Sequence, residues 1–152
     1  MGGEGKMSKE EIKEILTKCK TIAVVGLSRD PDKDSHRVST YLKKQGYRIV
    51  PVNPFADEVL DEKSYKSLLD IPAEIQKTID VVDVFRPAAD VPQIAEQAAK
   101  LKAKHGKPSV FWMQLGIVND QAAGTAKKAG FTVVMDRCMM VEHMRLFHNG
   151  NA

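Results

Sequence analysis

The chain has 152 residues, which corresponds to one domain, and 43% of them are hydrophobic, enough for a single core. Its 23 lysines and arginines against 20 aspartates and glutamates give a net charge of only +3, without long blocks of like charge, so bulk charge favours neither nucleic-acid nor membrane-surface binding. No apolar run approaches the ~20 residues needed to cross a bilayer, and the amino-terminal segment lacks the apolar core of a signal peptide, so we expect a cytoplasmic protein.

The chain contains two cysteines, Cys19 and Cys138, which lie far apart in the sequence. They are too few and too widely spaced for a disulfide framework or a CxxC zinc motif. A reducing cytoplasm would keep both as thiols. We therefore expect neither a structural disulfide nor a metal site.

The amino-terminal part predicts a flexible tail followed by a helix. Residues 1–7 are rich in glycine and polar side chains, which is typical of a tail. Ser8 and Glu11 fit a capping box, and apolar side chains then recur at helical spacing at Ile12, Ile15, Leu16 and Cys19. We expect this helix to open a single domain over residues 8–150 and to pack on it without a chemical role.

Short apolar runs then alternate with helical segments. The runs predict strands at 21–26, 47–53, 80–85, 109–114 and 131–136. Helices are predicted at 35–46 with Ser35 as N-cap, at 87–106 with Pro87 in the first turn, at 119–130 and at 139–147. Residues 54–79 predict a short hairpin-like excursion and a turn of helix.

This alternation of strands and helices implies right-handed crossovers between parallel strands. The predicted fold class is α/β, with a single doubly wound, mainly parallel sheet and helices on both faces. In such sheets a ligand binds beyond the carboxyl ends of the strands, near the point where the strand order reverses. The loops at that edge read GLSRDPDKDS, NPFADE, FRPAAD and QLGIVND.

The first of these loops has the chemistry of a diphosphate site. Gly26 permits close backbone approach, and Ser28 offers a hydroxyl donor. Three cations follow next to the free amides of a helix amino terminus, which favour an anion: Arg29, Lys33 and Arg37. The alternative is a tight turn whose solvated charges are offset by neighbouring aspartates.

The next three loops add candidate ligand contacts. Asn53, followed by Pro54, is placed to border an adenosine, and Phe85 with Arg86 offers a stacking surface and a cation. From the fourth strand we nominate only Gln114, because its apolar neighbours fit a core buried on both faces. The alternative for these loops is an ordinary turn and a satisfied surface arginine.

Two common nucleotide motifs are absent. A dinucleotide site would show GxGxxG and an acidic residue after the second strand, whereas this chain has GLSRDP and Asn53. A phosphate-binding GxxxxGK[ST] loop is also missing. The sequence therefore favours neither NAD binding nor kinase or NTPase chemistry.

Taken together, GLSRDPDKDSHRV, YRIVPVNP, VLDEKSYKSLLDIP, DVVDVFRP, WMQLGIVN and MDRCMMVEH resemble the stand-alone coenzyme-A-binding domain proteins of bacteria and archaea, over residues 21–147. That family is similar in its Rossmann-like fold to the coenzyme-A-binding domain of the succinyl-CoA synthetase α-subunit and of ADP-forming acyl-CoA synthetases. Met139 departs from the small residue or proline of many relatives, which bears on the shape of the turn after the fifth strand.

The resemblance implies that the cofactor is coenzyme A. Carried over by position, the diphosphate would be lined by Gly26, Leu27, Ser28 and Arg29, with Lys33, Ser35 and Arg37 as further candidates. Asn53 would border the adenosine, and Phe85 and Arg86 the adenine or pantetheine side. The implied ligand is coenzyme A or an acyl-CoA, and the sequence identifies no protein partner.

No base and nucleophile share a recognisable motif, so a binding module is favoured over an enzyme. Cys138, beside Arg137 at the start of the last predicted helix, is the one candidate reactive thiol, and we hypothesise a mixed disulfide with coenzyme A; an inert half-buried cysteine is the alternative. Three functions stay open: a coenzyme A carrier or sensor, an acyl-CoA enzyme with an unrecognised site, and a nucleotide-binding module that regulates a partner protein.

Overall fold

The computed structural model describes residues 7–148. Its strands, in chain order, are β1 (Thr21–Val25), β2 (Arg48–Val52), β3 (Glu58–Val59), β4 (Glu62–Lys63), β5 (Val81–Val84), β6 (Val110–Met113) and β7 (Thr132–Val134). Five of them form a parallel sheet in the order β2-β1-β5-β6-β7, while β3 and β4 form a small antiparallel hairpin. The predicted parallel α/β sheet is confirmed.

Helices cover both faces of this sheet. They are α1 (Lys9–Lys18), α2 (Asp34–Lys44), α3 (Ala73–Gln76), α4 (Val91–His105), α5 (Asp120–Lys128) and α6 (Met139–Phe147). One core layer packs α1, α2 and α6 on the sheet, and the other packs α4 and α5 on its opposite face. Among residues 7–148, no helix combines the length and apolar character that crossing a membrane requires.

The sequence of β1 is a continuous apolar run because helices cover the sheet on both faces. All five of its residues are buried. Ala23 and Val25 belong to the core layer with α4 and α5, whereas Ile22 and Val24 belong to the layer with α1, α2 and α6. Because side chains alternate along a strand, a strand covered on both sides has no polar face.

The beginnings of two helices differ from prediction. Ser35 is not an N-cap: α2 is capped by Lys33, without a side-chain hydrogen bond, and the Ser35 hydroxyl lies inside the first turn. Pro87 does not lie in the first turn of α4 either; it precedes a 3₁₀ turn at Ala88–Asp90, and α4 begins at Val91. A short turn therefore separates β5 from its helix.

The amino-terminal helix agrees with its prediction. Ser8 and Glu11 form the capping box, with the Ser8 hydroxyl accepting from the Glu11 amide and the Glu11 carboxylate accepting from the Ser8 amide. Residues 1–6 of the predicted tail lie outside the described residues. Met7 is described: it packs against the core, and its carbonyl accepts a hydrogen bond from Arg137 at 3.3 Å.

The predicted excursion after β2 is also confirmed. It consists of the β3–β4 hairpin, a 3₁₀ turn at Leu68–Asp70 and α3. A single parallel bridge joins Val52 to Tyr65. This bridge brings the residues that follow Tyr65 to the carboxyl end of β2.

At the amino ends of the strands, Asp80 joins three segments. One carboxylate oxygen accepts from the backbone amides of Lys20 at 2.8 Å and Thr21 at 3.1 Å, and the other accepts from the Lys107 ammonium at 2.6 Å. Burial alone would raise the pKa of Asp80, but these hydrogen bonds outweigh it and the pKa is lowered. The carboxylate therefore stabilises the fold at neutral pH.

Replacing Asp80 with asparagine should lower the free energy of unfolding at pH 7 by about 1.5–3 kcal/mol, the range for a hydrogen bond to a charged group. Because the pKa of Asp80 is lower in the fold than in the unfolded chain, its carboxylate stabilises the fold at pH values above the unfolded pKa of about 3.9. This stabilisation is lost as the pH falls through the folded pKa. Urea unfolding at pH 7 and pH 3 should show the difference shrinking in acid. Asp57→Asn, at an exposed site, is the control, and an equal loss at both pH values would contradict the assignment.

Candidate ligand-binding site

The strand order reverses between β1 and β5. The chain leaves β1 for α2 on one face of the sheet and leaves β5 for α4 on the other. The two loops part at the carboxyl edge, which is where a doubly wound sheet binds its ligand. Two clefts open there, one on each face.

The first cleft has a volume of about 510 Å³ and lies on the α4 side. The ends of β1 and β2 form its floor, and the loops after β2 and β5, the segment after Tyr65 and the first half of α4 form its walls. Its lining residues are Val25, Gly26, Ser28, Val52, Asn53, Pro54, Phe55, Lys66, Ser67, Arg86, Asp90, Gln93, Ile94 and Gln97.

The second cleft has a volume of about 390 Å³ and lies on the side of α2 and α6. Its wall contains both apolar and polar side chains, and its two charged residues, Asp34 and Arg37, form an ion pair. The other lining residues are Val38, Phe85, Gln114, Leu115, Ile117, Cys138, Met140 and Val141.

Gly26 lies where the two loops touch. Its φ of +93° is in the left-handed region, and a Cβ atom there would lie 2.8 Å from the Phe85 carbonyl oxygen and 3.0 Å from the Arg86 Cδ. Its amide donates to the Val52 carbonyl at 2.9 Å. The close approach expected at Gly26 is therefore made by the protein's own backbone.

The loop after β1 folds back on the first turn of α2. The Ser28 amide donates to the Ser35 hydroxyl at 2.9 Å, and the Ser28 hydroxyl accepts from the Asp30 amide at 3.0 Å. The Leu27 side chain is fully buried, so this residue faces a ligand only through its backbone. Ser35 is buried as well and serves the loop rather than a cleft.

The structure separates the four predicted cations. Arg86 lines the first cleft and pairs with Asp90 at 2.8 Å. Arg37 pairs with Asp34 beside the second cleft. Arg29 and Lys33 are exposed on the loop and line neither cleft.

Asn53 holds two loops together. Its side-chain amide donates to the Leu27 carbonyl at 3.0 Å, and its side-chain oxygen accepts from the Phe55 amide at 2.7 Å. Phe55 lines the first cleft with 82% of its surface exposed. Phe85, the predicted stacking residue, lines the second cleft instead, on the opposite side from Arg86.

Sequence reasoning missed Phe55 and Lys66 in the first cleft. Phe55 had a local signal, since an aromatic residue in the loop just after a buried strand is well placed to meet a ligand. Lys66 had none, because its position depends on the bridge between Val52 and Tyr65. That pairing spans the whole hairpin and cannot be read from neighbouring residues.

A second omission is Asp83, in the centre of β5. It is fully buried between Val24 and Trp112 of the adjacent strands, and its Oδ1 accepts from the Gln114 side-chain amide at 2.6 Å. Its Oδ2 has no hydrogen-bond partner within residues 7–148. Burial raises the pKa of Asp83 to about 7, against the opposing effect of the Gln114 hydrogen bond. An acid inside an apolar run was its sequence signal.

Gln114, the residue nominated from the fourth predicted strand, lies at the base of the second cleft. Only 3% of its surface is exposed. Asp83 takes one of its two amide hydrogens, so the side chain is held in a fixed orientation. The remaining N–H and the amide oxygen can serve a ligand.

The molecule is a Rossmann-like binding domain. Its strands have the doubly wound order, a ligand crevice opens at the switch point, and a glycine lies at the end of β1. A family model described as a CoA binding domain matches residues 20–144. The chain therefore belongs to this family of CoA-binding domains.

Relatives cover nearly the whole chain. The protein YneT of Bacillus subtilis (strain 168) is 47% identical over 136 residues, which are 90% of this chain and 94% of YneT. A solved structure of a protein from Pyrococcus horikoshii OT3 superimposes with a TM-score of 0.85 at 41% identity, covering 94% of each chain.

The chain is also similar to part of a larger enzyme. An ADP-forming acetate–CoA ligase of Archaeoglobus fulgidus is 40% identical over 83 residues, which are 53% of this chain but only 12% of the ligase. The chain thus spans a small part of that ligase. The predicted resemblance to the coenzyme-A-binding domain of such synthetases is confirmed.

Replacing Gly26 with alanine should destabilise the domain by about 2 kcal/mol or more, because left-handed strain of ~1–2 kcal/mol adds to the clash with the Phe85 carbonyl. Gly46→Ala is the matched control, since its φ is +102° but nothing lies within 4 Å of the added atom. Urea unfolding of both variants gives the comparison. Equal losses would show that the contact with Phe85 has no energetic weight.

Replacing Asp83 with asparagine should make stability less dependent on pH. Between the unfolded pKa of about 3.9 and the folded value of about 7, the native state holds a proton that the unfolded chain has lost. The protonated Asp83 carboxyl group makes its full contribution to stability at pH values below the unfolded pKa. This contribution disappears as the pH rises through the folded pKa of about 7. We therefore expect the free energy of unfolding of Asp83→Asn, relative to the parent, to increase by about 1–3 kcal/mol from pH 5 to pH 8.

Thermal unfolding at several pH values measures this gain. Asp57→Asn again provides the exposed control, and its curve should follow that of the parent. A gain that is the same at pH 5 and pH 8 would contradict the protonation of Asp83 in the native state.

Proposed function

We propose that the chain binds coenzyme A, with the nucleotide half in the first cleft. The observation that carries the proposal is the position of this cleft at the β1–β5 switch point, in a chain that belongs to the CoA-binding domain family. The name of the related acetate–CoA ligase supports the same ligand.

Residues of the first cleft offer contacts to the phosphates and to the adenosine of the nucleotide. Arg86 and Lys66 bring positive charge to the phosphates, and Ser28 with Gly26 supplies a polar loop end close to them. The exposed ring of Phe55 offers the adenine a stacking surface. Asn53 borders the adenosine by holding Phe55 in place.

The remaining predicted contacts have other roles in this proposal. Arg29 and Lys33 attract the phosphates at longer range, and Leu27 contributes backbone only. Ser35 orders the Ser28 loop. Phe85, Arg37 and Gln114 line the second cleft and meet the part of the ligand that leaves the first cleft.

The proposed role is binding, as a carrier or sensor, rather than catalysis. Three of the histidines are engaged elsewhere: His36 with the Ser28 carbonyl, His105 with Gln76 and His143 with Tyr41. Within residues 7–148, no group of three or more histidine, cysteine, aspartate or glutamate side chains is placed to hold a metal ion. We further propose a cytoplasmic location, which fits two unpaired cysteines.

Calorimetric titration with coenzyme A, 3′-dephospho-coenzyme A, ADP and NAD tests the proposal. We expect coenzyme A to bind most tightly, and Arg86→Ala and Lys66→Ala each to cost about 1–3 kcal/mol of binding free energy through lost charge-assisted hydrogen bonds. Arg48→Ala is the matched control, because Arg48 is exposed at the amino end of β2, away from both clefts. Ser28→Ala should weaken binding less, since its hydroxyl already caps the loop.

The other outcomes separate the alternatives. Equal affinity for ADP and coenzyme A would favour a nucleotide-binding module that acts on a partner protein. Tighter binding of NAD, or binding of none of the four ligands, would overturn the proposal. Hydrolysis or transfer of an acyl thioester added to the protein would favour an enzyme.

A further inference from the structure

The second cleft differs from the first in the side chains that line it. Phe85, Leu115, Ile117, Met140 and Val141 supply apolar side chains to its wall, and 68% of Leu115 and 41% of Val141 remain exposed. The two charges at its edge, Asp34 and Arg37, neutralise each other. Such a cleft fits an uncharged apolar group rather than a phosphate or a carboxylate.

The two clefts are direct neighbours. Gly26 and Arg86 line the first cleft, and Phe85 lines the second. An added Cβ atom on Gly26 would lie 2.8 Å from the Phe85 carbonyl oxygen, so this close contact between two loops lies between the clefts. A long flexible ligand that crosses this contact from the first cleft can reach the second.

We infer that the second cleft binds the acyl group of an acyl-CoA whose nucleotide half occupies the first cleft. The inference rests on the proposed function and names its ligand class as the acyl thioester rather than the free coenzyme. An acyl chain is uncharged and apolar, and its methylene groups leave water on contact with Leu115 and Val141.

Gln114 supplies the polar contact that a thioester needs. Asp83 holds one N–H of its amide at 2.6 Å, which leaves the second N–H to donate to the thioester carbonyl oxygen. Gln114 is 3% exposed and lines the cleft, so this donor faces few competing water molecules. The cleft thus combines an apolar wall with one oriented amide.

The affinity of a series of thioesters tests the inference. Calorimetry with coenzyme A, acetyl-CoA, butyryl-CoA and hexanoyl-CoA should show affinity increasing by up to about fourfold per methylene until the cleft is filled. Val141→Asp should remove this dependence on chain length, with coenzyme A itself still bound. Because Val141 is exposed, the variant is expected to fold, and its unfolding temperature checks that.

A neighbouring residue provides the matched control. Met144 is 43% exposed and lies one turn further along α6, outside the lining of the second cleft. Met144→Asp carries the same change in charge and should keep the full dependence on chain length. Equal effects of the two variants would overturn the inference.

The two cysteines allow an independent test of where the thiol end of the ligand lies. Cys138 is half-buried in the wall of the second cleft, whereas Cys19 is 7% exposed in the core. Burial raises the pKa of Cys19 to about 11, which suppresses its thiolate. A disulfide reagent that enters the cleft should therefore react at Cys138.

Coenzyme A disulfide is the reagent. The Cys138 thiolate attacks one sulfur, forms the mixed disulfide with one coenzyme A and releases the other as its thiolate. Intact-mass analysis should show a single adduct, faster than with glutathione disulfide, slowed by hexanoyl-CoA and absent in Cys138→Ser. A rate equal to that of glutathione disulfide, or one that hexanoyl-CoA does not change, would overturn the inference.

The tests distinguish this inference from the proposed function. If coenzyme A does not bind, the proposed function fails and the inference fails with it. If coenzyme A binds but all thioesters bind equally and Val141→Asp has no effect, only the inference fails. Affinity that increases with chain length and is lost in Val141→Asp supports both.

Discussion

The contact between Gly26 and the loop after β5 is the constraint on which the site depends. The chain turns toward opposite faces of the sheet after β1 and after β5, and the two turns must meet at the switch point. Only a residue without a side chain allows the backbone of Gly26 to approach the Phe85 carbonyl this closely. The same contact lies between the cleft lined by Lys66 and Arg86 and the cleft whose two charged side chains pair with each other.

The buried pair of Asp83 and Gln114 shows a second constraint, which acts against stability. A carboxyl group in the centre of a parallel sheet, with one oxygen unpaired within the described residues, costs free energy that an apolar residue would not. In return, it fixes the orientation of an amide at the base of the second cleft. Asp83 itself lies within the core, but its partner Gln114 lines the second cleft, which accords with a role of the pair in binding.

Elements were predictable where the signal is local. The apolar run of β1, the capping box of Ser8 and Glu11 and the glycine after β1 each occupy neighbouring positions, and all three occur as expected. The start of α2 was predicted wrongly because the Ser35 hydroxyl accepts a hydrogen bond from the Ser28 loop instead of capping the helix. A serine next to a helix does not reveal which amide its hydroxyl will meet.

The sequence predicted at which end of the strands the site lies, but not which side chains line each cleft. The switch point follows from the strand order, but the assignment of each side chain to a face does not. Phe85 and Arg86 are adjacent in sequence and line different clefts, and Lys66 reaches the first cleft through a pairing across a hairpin. These placements depend on contacts between distant segments, to which a single sequence gives no direct access.

The segment of residues 53–67 forms one wall of the first cleft and contributes few residues to the core. Its buried side chains are Ala56, Val59 and Ser64, whereas most of the others face solvent or the cleft. It lies between β2 and β5 in the chain, and its strands β3 and β4 form a separate two-stranded sheet. Substitutions at its exposed positions therefore disturb the core less than changes in the parallel sheet would, which makes it the place where related domains can diverge in ligand preference while their sheets stay alike.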